Sequence, residues 1–256
     1  MKVQGSCVVV TGGASGIGEG VARMVVEGGG AVAVLDLPTS DGERLASELG
    51  DRAVFVPLDV TDADDVERAI DRAAADLGRI DVVVCSAGVS PTARVVSRKG
   101  EPFPLDRYRL ALDVNLVGTF DVLRRAATRM TRNDPSPEGE RGLIVMMGSI
   151  AAYEGQVGQA AYAASKGGIV AMTLPLARDL ADHGIRVMTI CPGTIDTPMV
   201  QAAPEPVREY LRAANVFPHR LGRPEDISAV VRLCMENTYL NGEVIRVDAG
   251  VRMAPR

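Results

Sequence analysis

The feature that most limits what this chain can fold into is an alternation. Short, near-continuously apolar runs rich in β-branched residues, at 6–10, 31–35, 53–56, 80–84, 142–147, 185–190 and 243–247, are separated by longer stretches with helical character at 17–27, 42–49, 62–76, 104–131, 157–182 and 224–236. A strand that is apolar along its whole length is buried on both faces, the condition of a parallel sheet covered by helices. The expectation is a single-domain, doubly wound α/β fold of about seven strands over residues 1–256, with helices on both faces and no internal repeat. In such a sheet the strand carboxyl ends share one edge, where ligands collect. The irregular segments 90–101, 133–141 and 194–205 each adjoin a strand and are expected at that edge.

Composition narrows the ligand. A formal net charge of -5 argues against a nucleic-acid surface or a polybasic membrane patch and leaves small metabolites as the expected partners. No apolar run approaches the ~20 residues that span a bilayer. The first strand-like run begins close to Met1, so no signal or transit peptide is expected and the expected compartment is the cytoplasm. Cys7, Cys85, Cys191 and Cys234 are scattered, which reads as reduced, buried thiols. With His183 and His219 the only histidines, neither a metal site nor a histidine-dependent triad is supported.

The first candidate site follows the first strand. Thr11-Gly12-Gly13-Ala14-Ser15-Gly16-Ile17-Gly18 opens a helix. Glycines there permit a tight turn and a close backbone approach, while the helix N-terminus offers free N–H groups to a pyrophosphate. The spacing is Gly-x-x-x-Gly-x-Gly, so a ligand-free turn is an alternative on this motif alone. Context favours a dinucleotide: Asp36 ends the second strand, placed to accept from an adenosine ribose and to repel a 2′-phosphate. Neither Ser15 nor Leu37 supplies the cation a 2′-phosphate needs, so NAD is expected over NADP. Asp59-Val60 after the third strand can hold the adenine edge, although Asp59 also reads as a turn or helix cap. Ser86-Ala87-Gly88 after the fourth strand is small enough for a cofactor to lie against its backbone.

The second candidate site is Tyr162 with Lys166. Four residues apart on a helix, they share one face and can reach one small ligand. A phenol with a pKa of about 10 is a poor base near neutrality, and an adjacent ammonium favours its phenolate. Lysine is otherwise found only at Lys2 and Lys99 in a chain that prefers arginine, so Lys166 stands out among its small neighbours. Asn115, inside the 104–131 helical stretch, reads either as a bend residue or as the organiser of a water chain toward this pair.

Taken together, the 11–18 turn, Asp36, Asp59, Ser86-Ala87-Gly88, Asn115, Ser149, Tyr162, Lys166 and Pro192-Gly193 resemble the short-chain dehydrogenase/reductase family over essentially the whole chain. A nearer likeness, carried by the stretches 154–162, 174–180, 184–190, 217–222 and 240–246, is to the type 2 3-hydroxyacyl-CoA dehydrogenases, also called type 10 17β-hydroxysteroid dehydrogenases. Cys85 departs from the pattern, since the family usually has Asn there. The resemblance implies a Rossmann-type fold and an NAD-dependent interconversion of a secondary alcohol and a ketone. Tyr162 is then the general base, Lys166 lowers its pKa and binds the nicotinamide ribose, Ser149 orients the hydroxyl, and Asn115 links Lys166 to water. It also implies that Pro192 and Gly193 bind the cofactor, that Ile195 and Thr197 touch its carboxamide end, and that the chain is a homotetramer.

Substrate contacts are expected from Ser149, Gln156 and Gln159, although the two glutamines also read as residues that order a loop. Residues 194–215 read as a lid within the domain. Arg94, Arg98 and Lys99 form a basic tip suited to coenzyme A phosphates, and a solvated loop is the alternative. The leading expectation is a 3-hydroxyacyl-CoA dehydrogenase. A hydroxysteroid or other alcohol dehydrogenase, a 3-oxoacyl ketoreductase and a non-catalytic NAD-binding protein are the alternatives.

Overall fold

The computed structural model describes residues 1–255; Arg256 lies outside the described residues. Seven parallel strands form one sheet in the order β3-β2-β1-β4-β5-β6-β7. They are β1 (Cys7–Thr11), β2 (Ala31–Asp36), β3 (Ala53–Pro57), β4 (Val82–Cys85), β5 (Gly142–Met147), β6 (Ile185–Pro192) and β7 (Val244–Val247), each within two residues of a predicted apolar run at either end. The reversal of strand order between β1 and β4 opens a crevice at the carboxyl edge.

Helices cover both faces, which is why the central strands tolerate no polar alternation. Side chains of Val8, Val10, Val32, Val34, Val82 and Val84 pack on one face, against α1 (Gly16–Glu27), α2 (Gly42–Leu49) and α10 (Pro224–Glu236). Val9, Ala33, Leu35, Val83, Ile144 and Val187 pack on the other, against α3 (Ala63–Leu77), α5 (Thr119–Met130) and α7 (Ala160–Asp179). Gly20 lets α1 and α10 touch, because a Cβ there would lie 2.6 Å from Pro224. At the opposite, amino-terminal edge, the buried Arg186 guanidinium pairs with Glu140 at 2.7 Å and donates to the carbonyls of Cys234 and Leu240, closing the end of α10. All four cysteines are free and buried, as expected.

Four departures from the predicted pattern matter. The 104–131 stretch is not one helix but α4 (Leu105–Leu112), a π turn (Asp113–Gly118) and α5. Gly118 sits against the loop after β3, where a Cβ would meet the Val60 carbonyl at 2.7 Å, and the wider turn carries Asn115 into full burial. The 157–182 helix starts later, at Ala160, behind a short α6 (Ala151–Glu154) and a loop. The 194–205 segment is partly helical, with α8 (Pro198–Gln201) started by proline and followed by α9 (Glu205–Ala213). Finally, 133–141 lies at the amino-terminal edge, not the ligand edge, because it leads into β5: Asn133 donates to the Ile80 carbonyl that precedes β4. No helix among the described residues is long and apolar enough to cross a membrane.

Candidate active site

One cavity of about 670 Å³ follows the carboxyl edge, within the ~300–1,000 Å³ usual for small-molecule sites. Every residue singled out above for cofactor, substrate or chemistry lines it except Asn115 and the basic tip Arg94, Arg98 and Lys99. At one end lie Gly12, Ser15, Gly16, Ile17, Gly18, Asp36, Leu37, Asp59, Val60, Ser86, Ala87 and Gly88; at the other lie Ser149, Gln156, Gln159, Tyr162, Lys166, Pro192, Gly193, Ile195 and Thr197. Arg94, Arg98 and Lys99 are exposed and do not line it.

The glycine turn is built for close contact. Gly12 and Gly16 hold positive φ, and a Cβ on Gly12 would come within 2.8 Å of the Ala87 backbone. No side chain caps α1, so its first N–H groups face the cavity as donors to an anion. Asp36 ties this turn to β2, accepting from Ala14 N at 3.0 Å and from Leu37 N at 2.8 Å. Asp59 accepts from both the amide and the hydroxyl of Thr61, while Asp62 caps α3, so the cap expected of Asp59 belongs to its neighbour. Among the described residues that line the cavity, Lys166 is the only cation. A helix N-terminus at the centre and a carboxylate at the end of β2 fit a nicotinamide dinucleotide.

At the catalytic end, Lys166 is buried and its ammonium donates to the Met147 carbonyl at 2.8 Å. Burial brings its pKa down to about 8. Burial pushes the Tyr162 phenol up, while a hydrogen bond with the Ser149 hydroxyl pulls it down. Lys166 Nζ stands 5.8 Å from the Tyr162 ring centroid, held on the Met147 carbonyl. Ser149 itself lies two residues before α6, its hydroxyl accepting from Ala151 N at 3.1 Å.

Asn115 acts from behind. Its Oδ1 accepts from Val89 N at 2.7 Å, and its amide donates to Val89 O and to Ser165 Oγ, each at 2.9 Å. It thereby clamps the strand end beyond Gly88 to the Tyr162–Lys166 turn of α7. Cys85, standing where the family usually has Asn, is a buried thiol pushed up to about 12 by that burial. The main chain beside it is held instead by Thr11, whose carbonyl accepts from Ser86 N at 3.2 Å.

Gln156 and Gln159 line the cavity and also order their loop, Gln159 Oε1 accepting from Gln156 N at 3.0 Å. Sequence reasoning missed the Met147 carbonyl and the apolar walls Leu110, Met199, Leu211 and Met253. A main-chain acceptor leaves no trace in residue type, and single apolar side chains in a lid or tail look like any others.

The family described as Enoyl-(Acyl carrier protein) reductase matches residues 12–252. The chain is 49% identical over 255 residues to the 3-hydroxyacyl-CoA dehydrogenase type-2 of Homo sapiens, covering 99% of this chain and 98% of that protein. It is 33% identical to the 3-oxoacyl-[acyl-carrier-protein] reductase FabG of Thermotoga maritima, over 98% of this chain and 99% of that one. The crystal structure of 3-hydroxyacyl-CoA dehydrogenase type-2 from Mycobacterium avium superposes with a TM-score of 0.93 at 40% identity, covering 98% of each chain. The chain therefore belongs to the short-chain dehydrogenase/reductase family and is an oxidoreductase that acts on CH–OH groups with a nicotinamide cofactor.

Proposed function

We propose that this enzyme is an NAD-dependent dehydrogenase that interconverts 3-hydroxyacyl-CoA and 3-oxoacyl-CoA thioesters. The observation that carries the reading is the joining, in one cavity, of a Ser149–Tyr162–Lys166 cluster to an uncapped helix N-terminus and Asp36. The substrate class rests on the 49% identical relative and its printed name. NAD over NADP rests on Asp36 and on the lack of a second cation among the described cavity residues.

When bound, the nicotinamide supplies the hydride acceptor. Tyr162 takes the hydroxyl proton at its phenol oxygen, and Ser149 donates to the oxygen as it becomes a carbonyl. Lys166 contributes positive charge behind Tyr162 and a donor for the cofactor ribose. Both amide hydrogens of Asn115 are spent on Val89 and Ser165, so its side chain positions the site. Gln156 and Gln159 present their remaining polar atoms to the thioester, and residues 194–215 order over it as a lid. Arg94, Arg98 and Lys99, outside the cavity, meet the phosphates of coenzyme A.

The enzyme works in the cytoplasm as a homotetramer; the assembly is supported by the exposed apolar side chains Leu105, Val117, Phe120, Leu174 and Tyr239. Cofactor reduction with NAD and NADP, over 3-hydroxyacyl-CoA thioesters, hydroxysteroids and simple secondary alcohols, tests the assignment. The thioesters with NAD are expected to give the highest kcat/KM; a steroid or simple alcohol in first place contradicts the substrate class.

A further inference from the structure

Beyond β7 the chain reverses sharply. Ala249 and Gly250 both hold positive φ, 52° and 75°, a conformation that a non-glycine residue adopts only when its surroundings enforce it. Asp248 holds the turn, accepting from Gly250 N at 3.1 Å, and Val251 N returns to the Asp248 carbonyl at 3.0 Å. The reversal sends residues 251–255 back across the catalytic end of the sheet.

That strip is fastened at several points. Glu154, at the end of α6, accepts from Met253 N at 3.0 Å and from Arg246 at 2.8 Å. Arg246 also donates to Asp248 at 2.7 Å and to the Val251 carbonyl at 3.2 Å, and its guanidinium lies 5.4 Å from the Tyr153 ring centroid. Farther along, Gln156 Nε2 donates to Ala254 O at 2.9 Å and Val157 N to Pro255 O at 3.1 Å. The strip and the 155–159 loop therefore form one wall. At the root of the strip, the Ala249 carbonyl accepts from Val216 N and Phe217 N, at 3.1 and 3.2 Å, so the end of the lid is tied to it as well. Of the strip's side chains, Met253 lines the cavity, as do Met199, Val200, Ala203 and Leu211 from the lid.

We propose that the strip 251–255 is the specificity-determining wall of this site: Met253, held by the Glu154–Arg246–Asp248 node, takes the apolar part of the substrate that extends away from the carbinol carbon, opposite a lid that is itself apolar. A flexible thioether suits this task because it can pack on chains of different shape. The inference rests on the dehydrogenase reading above and adds to it which residues measure the substrate's apolar tail.

The test compares kcat/KM for 3-hydroxydecanoyl-CoA and 3-hydroxybutyryl-CoA in the wild-type enzyme, Met253→Trp and Glu154→Ala, with the NAD dissociation constant measured for each. The expected result is a fall in the decanoyl-to-butyryl ratio of about tenfold or more in Met253→Trp, and a fall in the same direction in Glu154→Ala that appears in KM rather than kcat. NAD affinity is expected to stay at the wild-type value in both, because the strip's hydrogen bonds to Glu154, Gln156 and Val157 reach no residue assigned to the cofactor. Ratios unchanged in both variants overturn the inference and leave the dehydrogenase reading standing. Weakened NAD binding in step with the loss of turnover overturns it too, since the strip would then be general scaffolding. A wild-type enzyme inactive on both thioesters contradicts the proposed function itself, and the inference falls with it.

Discussion

Lys166 places its ammonium 2.8 Å from the main-chain carbonyl of Met147, and this single acceptor holds a buried cation at the carboxyl end of β5. Burial without a carboxylate partner explains why its pKa falls to about 8 from the usual 10.5. The consequence for stability has a definite sign. Between those two values the unfolded chain binds a proton that the folded one has released, so this group makes stability rise with pH across that window.

Lys166→Met, which cannot titrate there, isolates the effect. At about 1.4 kcal/mol per pKa unit, the wild type is expected to gain about 3 kcal/mol relative to the variant between pH 8 and 10.5. Urea denaturation of both proteins at several pH values measures this difference. A gap that stays constant over the window contradicts the picture of a buried, unpaired ammonium.

Asp36 should decide the cofactor. Its carboxylate already accepts two main-chain amides, so removing it also loosens the glycine turn from β2. Asp36→Arg is expected to lower kcat/KM with NAD and to shift the NADP-to-NAD ratio of kcat/KM by about tenfold or more toward NADP. Steady-state kinetics with each cofactor at saturating alcohol reads this directly, and an unchanged ratio removes Asp36 from the role.

Far from the site, Glu140 and Arg186 make a buried pair at the amino-terminal edge, with the Met1 amine also on Glu140 at 3.0 Å. Glu140→Ala leaves the Arg186 charge without its carboxylate, a change that costs about 3–5 kcal/mol when a buried pair is broken. The melting temperature is expected to fall while kcat, assayed well below it, remains near the wild-type value. A full loss of activity in folded protein would mean that the pair does more than hold α10 to the sheet.

The strands were legible because each central run is apolar throughout, a pattern that only a doubly covered parallel sheet uses. The glycine turn, Asp36, Tyr162 and Lys166 were legible because their residue types are informative where strands end. What escaped was set by contacts distant in sequence. The π turn depends on Gly118 meeting Val60, and nothing in 104–131 alone distinguishes it from a straight helix. The fastening of Met253 depends on Glu154, 99 residues earlier. The Met147 carbonyl that holds the Lys166 ammonium, and the Ser149 hydroxyl bonded to Tyr162, likewise come from segments well upstream of the pair.

Whether Tyr162 is the proton acceptor is decided most directly by comparing Tyr162→Phe with the wild type in NAD reduction, with NAD affinity measured on the same preparations. Because only the phenol oxygen is removed, NAD should bind as before while kcat falls by about 10²–10⁴, the range usual for loss of a general base. A variant that binds NAD normally and turns over within a few-fold of the wild type would contradict the assignment of Tyr162, and with it the chemistry read from this cavity.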